Sequence, residues 1–183
     1  MLRFGIFFVA SAATVMLSWR SLKHPRSHGF YRFFAFELLF LLILLNGPVW
    51  FQEPLRLRQL VSWLLGAASI ALAVEGFRLL HVVGRPSPGA GGSTELGFER
   101  TTALVTVGAY RLIRHPLYGS LLALVWCAYL KDPAALHSIV LAPGVTGFLV
   151  ATAHVEESEN LDRFGSVYAA YMQGTWRFLP FLF

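Results

Sequence analysis

The feature that most constrains this chain is a series of apolar runs, each close to the length that crosses a lipid bilayer. Three runs cover residues 2–19, 33–51 and 60–80, and two shorter runs cover residues 116–130 and 138–153. A helix needs about 20 apolar residues to cross the hydrocarbon core of a bilayer. The sequence therefore predicts an all-α fold: a multi-pass, polytopic membrane helical bundle with about five transmembrane helices.

The composition of the chain excludes the other common classes of protein. Of its 183 residues, 56% are hydrophobic and 14% are charged, whereas soluble domains carry about 25% charged residues. A soluble globule could not cover so much apolar surface, and disorder requires the opposite balance of charge and hydrophobicity. Cys127 is the single cysteine of the sequence, so a disulfide scaffold is excluded as well.

The Lys and Arg residues are distributed unevenly between the two sides of the predicted bundle. If the segment after the first run is cytosolic, eleven of the 15 basic residues lie on the cytosolic side. Because cytosolic loops carry the excess of Lys and Arg, we predict that the N-terminus is outside and the C-terminus in the cytosol. The bases lie beside apolar runs, so lipid head groups and topology account for them, and we expect no nucleic-acid partner.

Two polar segments, residues 84–116 and 154–177, fall on the same predicted cytosolic face. The first is rich in Gly and Pro up to residue 102, which is typical of a loop. A small membrane protein with two polar segments at one membrane surface has the arrangement of an enzyme that uses a soluble cofactor. We therefore predict an active site that faces the cytosol.

A group of basic and aromatic residues leads into the fourth run. Because proline disfavours helix at the residue before it, His115 should lie in a turn and Pro116 should begin a helix. The start of that helix would direct backbone N–H groups and a positive dipole end towards the interface, and Arg114 adds a fixed charge. This pattern suits an anion such as a carboxylate or a phosphate. Interfacial anchoring is the alternative for the arginines, and we adopt it for Arg111.

Four of the ten acidic residues cluster just after the fifth run, in a segment for which we predict one polar helix over residues 155–172. One face of that helix carries Glu157 together with four apolar or aromatic residues, Leu161, Phe164, Tyr168 and Tyr171. A carboxylate on an otherwise buried face has a partner or a task. Glu156 would lie about 100° further round the helix. A solvated acidic helix start is the alternative, and it suits Glu159 and Asp162 better than Glu157.

Two further acids lie in or near the predicted spans. Glu37 is inside the second run, where an acidic side chain is a candidate for function. Pairing of Glu37 with Arg32 or with a neighbouring helix is an equal alternative. We expect Glu75 to pair with one of three arginines, Arg78, Arg111 or Arg114.

Neither a metal site nor a cysteine nucleophile is predicted. His24 and His28 are four residues apart, but Pro25 lies between them and no carboxylate is adjacent. Cys127 lies in an apolar run without an activating base or charge, so we interpret it as an inert filler of the helix interface.

The second half of the chain resembles the isoprenylcysteine carboxyl methyltransferase and phospholipid methyltransferase superfamily of integral membrane enzymes. The resemblance covers about residues 95–183. It rests on residues 104–110, the string Arg114-His115-Pro116-Leu117-Tyr118, the pair Glu156-Glu157, the pair Phe164-Gly165, Tyr168, Tyr171 and Pro180. The sequence departs from the family pattern at Gly119-Ser120 and at Asn160, and both departures concern the acceptor pocket.

The resemblance implies methyl transfer from S-adenosylmethionine at the cytosolic membrane face. Composition and the apolar runs predict one membrane domain over residues 1–183, with three spans in residues 1–83. The resemblance implies a cofactor-binding core in residues 84–183. By the same resemblance and the chemistry of the cofactor, the cofactor-binding residues are Val107, Gly108, Tyr110, His115, Pro116, Tyr118, Glu156, Glu157, Phe164 and Tyr168.

The side chains of this group match the parts of S-adenosylmethionine. The helix start with Arg114 or His115 suits the carboxylate of the cofactor, and Glu156 or Glu157 suits its ammonium group or its ribose hydroxyls. Aromatic rings suit the adenine or the sulfonium. We assign Arg114, Glu157 and Arg177 to catalysis, and the two arginines would hold an anionic group of the acceptor.

The expected acceptor is lipophilic and enters from the bilayer: a small molecule, a lipid or a prenylated protein. An amine or thiol acceptor needs a base, for which His115, Glu157 and Tyr168 are candidates. The same Arg-His-Pro-x-Tyr string occurs in sterol reductases that use NADPH, so a membrane reductase is an alternative. A non-catalytic membrane scaffold is a third hypothesis. The Glu156-Glu157 and Phe164-Gly165 pairs favour the methyltransferase.

Overall fold

The protein is described by a computed structural model that covers residues 2–87, 96 and 101–180. Within these residues the chain is helical, and the predicted all-α membrane bundle is confirmed. In this described part of the chain, four helices are long and apolar enough to cross a membrane, and α4 is a shorter apolar helix of 14 residues. The helices are α1 (Leu2–Leu22), α2 (His28–Asn46), α3 (Leu57–Val82), α4 (Pro116–Tyr129), α5 (Leu136–Phe164) and α6 (Ser166–Gln173).

The bundle is held together by two main helix pairs. Helix α2 packs along α5, and α3 packs along α4; α4 also contacts α2 and α5, whereas α1 packs on α2. Small residues let α3 approach α4 closely: a Cβ atom on Gly66 would lie 3.3 Å from Cys127 Sγ, and one on Gly76 would lie 2.7 Å from Leu117 Cδ2. Such small residues are common where membrane helices meet. The two contacts also show that α3 and α4 run antiparallel.

A core of apolar side chains fills the space between α2, α4 and α5. Because successive turns of each helix contribute one face, the core residues recur every three or four positions. The buried core consists of Ala35, Leu39, Leu42, Tyr118, Val125, Ala128, Ala142, Val145, Leu149, Ala153 and Phe178.

The fifth apolar run contains Pro143-Gly144, which predicts a break in its helix, but the structure shows no interruption there. Helix α5 continues through Pro143 for 29 residues. Proline removes one backbone hydrogen bond, but packing of neighbouring helices lets membrane helices tolerate it. Helix α2 is such a neighbour, since a Cβ atom on Gly144 would lie 3.5 Å from Leu38 Cδ1, an ordinary van der Waals distance. The result is one long helix that carries the acidic cluster beyond the core.

The prediction of one polar helix over residues 155–172 is also wrong. Helix α5 ends at Phe164, Gly165 has a φ of +57°, and α6 begins at Ser166. Glycine commonly ends a helix because it adopts a positive φ without steric cost. Tyr168 and Tyr171 therefore belong to a second helix, and their position relative to Glu157 depends on the turn between the two helices.

Glu37 is bound by helix α1, which selects one of the alternatives left open by the sequence. Its carboxylate accepts hydrogen bonds from Ser11 at 2.6 Å and from Thr14. Both donors lie on α1, so the acid links the first two helices inside the bundle. Pairing with a neighbouring helix is the interaction that the structure displays.

At the end of the bundle where α4 stops, a lysine is buried among aromatic rings. Lys131 Nζ donates to Gln59 Oε1 at 2.8 Å and lies 3.4 Å from the centre of the Trp63 ring. Burial lowers the pKa of Lys131 below its usual range. The sequence Lys131-Asp132-Pro133 predicts a turn, and Lys131 does lie in one; its buried side chain closes one end of the helix bundle.

Candidate active site

A cavity of about 300 Å³ lies between α2, α3, α4, α5 and α6. This volume is at the lower end of the range of about 300–1,000 Å³ found for ligand pockets. One end, here called the mouth, is polar, and the opposite end, here called the interior, is apolar. The mouth is formed by Arg114, His115, Glu156, Asn160, Tyr168 and Tyr171. The interior is formed mainly by Phe36, Ala73, Leu121 and Leu124.

A tight turn before α4 places Tyr110 in the wall of this cavity. Gly108 begins a short 3-10 helix with a φ of +59°. Glu75 Oε1 accepts a hydrogen bond from the Ala109 N–H at 3.0 Å, and a Cβ atom on Gly108 would lie 2.6 Å from the same oxygen. Glu75 was expected to pair with an arginine. Its carboxylate instead binds the backbone of this turn, where only glycine allows so close an approach.

The chain beyond α6 returns to the start of α4 and pairs with it. Arg114 N–H donates to Trp176 O at 2.7 Å, and His115 N–H donates to Arg177 O at 3.1 Å. Phe178 is buried in the core beside His115, with 6.0 Å between ring centres. We call residues 174–180 the C-terminal strap. Pro116 begins α4 as predicted, and the strap holds the turn that precedes it.

Glu157 is the centre of a buried ion-pair cluster. Its Oε1 accepts from Arg114 Nε at 2.8 Å, its Oε2 accepts from Arg177 Nη2 at 2.6 Å, and its Oε1 lies 3.3 Å from His115 Nε2. Glu157 is only 3% exposed, and a buried charge requires such partners. The hydrogen bond with Glu157 raises the pKa of Arg177 above its usual range. The Glu157 carboxylate is thus bound by protein donors and lies outside the cavity wall.

Glu156 is the carboxylate that borders the cavity. The Tyr118 hydroxyl donates to Glu156 Oε2, and His115 Nδ1 lies 3.8 Å from Glu156 Oε1. The Tyr118 ring stacks on His115 with 5.4 Å between centres and 20° between planes. A carboxylate offers about four acceptor positions, so Glu156 keeps the capacity to accept from a ligand. His115 therefore lies between two carboxylates, one in the wall and one behind it.

Two tyrosines of α6 complete the mouth. The Tyr171 hydroxyl donates to Tyr110 O at 2.5 Å, and Tyr168 is hydrogen-bonded to Asn160. Burial raises the pKa of both phenols above their usual range, and the charge of Glu156 adds to the effect at Tyr168. Both hydroxyls therefore remain protonated at neutral pH.

The structure separates the residues selected from the sequence into two groups. Those in the cavity wall are Tyr110, Arg114, His115, Tyr118, Glu156, Phe164 and Tyr168. Those outside the wall are Val107, Gly108, Pro116, Glu157 and Arg177. Val107 is 46% exposed, whereas the other four support the turn, the helix start or the ion-pair cluster.

Several wall residues were not selected from the sequence. Arg32 and Phe36 of α2, and Ser69 and Ala73 of α3, line the cavity. Arg32 is 3% exposed, although the predicted topology includes it among the cytosolic bases between the first two apolar runs. Arg32 and Phe36 are four residues apart and therefore share one face of α2. This spacing is the sequence signal that could have identified Arg32 as a wall residue. The α3 residues carry no comparable signal, since they are small residues in an apolar run.

No group of three or more metal-binding side chains occurs among residues 2–87, 96 and 101–180. Two other sequence features lie partly outside these residues. One is the Gly-rich stretch of the predicted loop, and the other is the apolar segment 178–183, which the sequence predicts to rest on the membrane. Arg100, which contributed to the predicted orientation, also lies outside them.

The sequence is similar to a curated methyltransferase over part of its length. It is 35% identical over 71 residues to a methanethiol S-methyltransferase from Pseudomonas sp. (strain GM41(2012)). The matched region is 39% of this chain and 26% of that protein, so the chain spans about a quarter of the length of the curated relative. No family model matches the sequence, and no solved structure matches it.

Proposed function

We propose that this protein is a membrane methyltransferase that uses S-adenosylmethionine and acts on a lipophilic acceptor held in the cavity. The observation that carries the proposal is one continuous cavity in which a polar mouth with the Glu156 carboxylate joins an apolar interior. A charged cofactor and an apolar acceptor need these two environments side by side. The similarity to a methyltransferase supports this reaction over reduction by NADPH.

The donor and acceptor groups of the mouth fit the proposed cofactor. Glu156 is suited to accept hydrogen bonds from an ammonium group or from ribose hydroxyls. The rings of Tyr118, Phe164 and Tyr168 offer faces for adenine, and aromatic faces also attract a sulfonium cation. When bound, S-adenosylmethionine supplies an electrophilic methyl group. Arg114 brings positive charge to the same end of the cavity, although Glu157 offsets part of it.

Glu157 acts as a positioning residue in this proposal. It binds Arg114 and Arg177 and orients the His115 ring from behind. Arg114 and His115 are therefore held in a fixed geometry. Fixed positions of the reacting groups account for a large part of the catalysis of a bimolecular step. The apolar interior excludes water from the acceptor.

His115 is the base that the site offers to an acceptor with a proton to lose. A thiol or amine that receives a methyl group must release a proton. The raised pKa of Tyr168 means that its phenolate is not available at neutral pH, and Glu157 is engaged by two arginines. His115 lines the cavity, so we assign the proton to its imidazole.

A thiol is the acceptor class that the similarity favours, because the relative is named for methanethiol. The site is proposed to face the cytosol, where the soluble cofactor is available. The excess of basic residues on that side supports this orientation.

The test is cofactor binding by purified protein in lipid nanodiscs, followed by calorimetry with S-adenosylmethionine and with NADPH. We expect binding of S-adenosylmethionine and none of NADPH, together with transfer of a labelled methyl group to a lipophilic thiol. Binding of NADPH alone would replace the methyltransferase with a reductase. Binding of neither compound would point to the scaffold hypothesis.

A further inference from the structure

Ser69 of α3 carries a hydroxyl group without a hydrogen bond in the wall of the cavity. The residue is 7% exposed and lines the cavity. Ser120 and Thr146, on other helices, each donate to a carbonyl of their own helix, at 2.7 Å and 2.8 Å, as is usual for hydroxyls in helices. For Ser69 no hydrogen bond is found anywhere in the part of the chain that the structure describes. A buried hydroxyl without a partner is unfavourable and calls for an explanation.

The position of Ser69 along the bundle follows from the antiparallel contact of α3 and α4. Gly76 meets Leu117 near the mouth, and Gly66 meets Cys127 near the opposite end. These two pairs place Ser69 level with Leu124, the deepest α4 residue in the cavity wall. Seven residues separate Leu117 from Leu124, which corresponds to about 10 Å along a helix. The Ser69 hydroxyl is therefore about 10 Å deeper than the start of α4.

Most of the wall at this depth is apolar. Ala73, Leu121 and Leu124 line it there, and the hydroxyl of Ser120, one helical turn nearer the mouth, already donates to Leu117 O. A single hydrogen-bonding group in an apolar pocket discriminates strongly, because a ligand without the matching atom leaves the group unpaired. An aliphatic tail would leave Ser69 unpaired, whereas a distal oxygen or nitrogen would bind it.

We propose that Ser69 is a specificity-determining residue that hydrogen-bonds a polar atom at the far end of an elongated acceptor. The acceptor class is an amphiphile with an apolar middle of about 10 Å and a polar group at each end, one of which is methylated at the mouth. This assignment rests on the proposed methyl transfer, but it concerns binding in the interior and can be measured separately.

The first experiment compares methyl transfer to two thiols that differ only in a distal hydroxyl, 1-octanethiol and 8-mercaptooctan-1-ol. We expect the wild-type protein in nanodiscs to prefer the hydroxythiol by about three- to tenfold in kcat/KM, the value of one hydrogen bond. The preference should fall to about unity in Ser69→Ala and return in Ser69→Thr. Both thiols are compared at equal measured concentrations in the nanodisc lipid, because their different partitioning would otherwise enter the ratio.

The second experiment measures binding without chemistry. The thermal unfolding midpoint of the protein in nanodiscs is followed with 1,8-octanediol and with 1-octanol. In the wild-type protein, the diol should raise the midpoint more than the alcohol does. In Ser69→Ala, the two compounds should raise the midpoint equally. If the diol is preferred through Ser69 but neither thiol is methylated, the interior site stands and the proposed thiol methylation fails.

Thr146→Ala is the matched control, since it removes a helix hydroxyl that is bonded within α5 and lies outside the cavity wall. It should leave both preferences unchanged. Equal binding and equal turnover of the paired compounds by the wild-type protein would overturn the assignment of Ser69. A preference that persists in Ser69→Ala would overturn it as well, because another group would then be responsible.

Discussion

Arg177 Nη2 lies 2.6 Å from Glu157 Oε2, and this ion pair joins the C-terminal strap to helix α5. The two residues flank α6, so their contact closes the turn of chain that carries Tyr168 and Tyr171. Arg114 binds the same carboxylate through Nε at 2.8 Å. One buried acid therefore connects three parts of the chain, and the mouth of the cavity depends on it for its shape.

Removal of one arginine from this cluster should loosen the strap. In Arg177→Ala, Glu157 keeps Arg114 but loses two charged hydrogen bonds, a loss of about 1.5–3 kcal/mol for a bond of this kind. We expect a lower thermal unfolding midpoint and faster proteolysis after α6. Arg56→Ala is the control, because its pair with Glu53 is exposed and contributes little. An unchanged midpoint in Arg177→Ala would contradict the role given to the ion pair.

Replacement of the neighbouring acid should affect the cofactor and leave the fold unchanged. Glu156→Gln retains an acceptor for the Tyr118 hydroxyl but loses the negative charge that borders the cavity. We expect the Kd for S-adenosylmethionine to rise about 10- to 100-fold, with no change in unfolding temperature. Calorimetry in nanodiscs measures the Kd. Asp162→Asn, an exposed acid on the same helix, serves as the control; equal affinity in both variants would remove Glu156 from the cofactor site.

Two glycine substitutions should have opposite effects on stability. Gly108→Ala adds a Cβ atom at a φ of +59°, 2.6 Å from Glu75 Oε1, and should cost at least about 1–2 kcal/mol. Gly147→Ala adds one inside α5 with nothing within 4 Å, and should stabilise the helix by about 0.5–1 kcal/mol. Thermal unfolding of the two variants measures the difference. A stable Gly108→Ala protein with normal cofactor affinity would show that the Tyr110 turn tolerates a side chain.

The two buried tyrosines should make the protein less stable in alkaline solution. Burial raises the pKa of Tyr168 and Tyr171 above the usual value of 10.0. The folded protein then holds these protons more tightly than the unfolded chain, so their contribution is complete below about pH 10 and is lost as the pH rises further. In an alkaline titration, the absorbance of phenolate should rise at a higher pH in the folded wild-type protein than in the unfolded chain. If Tyr168→Phe and Tyr171→Phe leave this late step unchanged, other groups cause it.

The helices could be predicted from the sequence to within a few residues at most ends. The second and fifth spans differ most: α2 begins at His28 and ends at Asn46, earlier than the apolar run, and α5 continues to Phe164, well beyond the predicted end at residue 153. His28 N–H and ring bind Glu159 of α5 at 3.2 Å and 2.5 Å, and this contact between distant residues starts the helix before its apolar part. Helix α5 also continues through Pro143 and ends before Gly165. Both outcomes depend on packing against other helices, which the residues next to these positions in the sequence do not reveal.

The wall of the cavity was less predictable than the residues at its mouth. The mouth residues belong to polar segments that are easily recognised in an apolar sequence; they include Arg114, His115, Glu156 and Tyr168. Ser69 does not, because a serine in an apolar run is ordinary for a membrane helix. Its importance appears only when α4 leaves a space beside it that the protein does not fill.

The sequence by itself determined that this chain is a membrane helical bundle, because apolar runs of this length have no other stable environment than lipid. It also determined that the polar chemistry lies in two segments. Only the tertiary structure decided which of two adjacent glutamates borders the cavity. Glu156 and Glu157 are chemically identical and differ by about 100° round one helix. Arg114 in the turn before α4 and Arg177 of the strap lie on the side of Glu157, and this leaves Glu156 for the ligand.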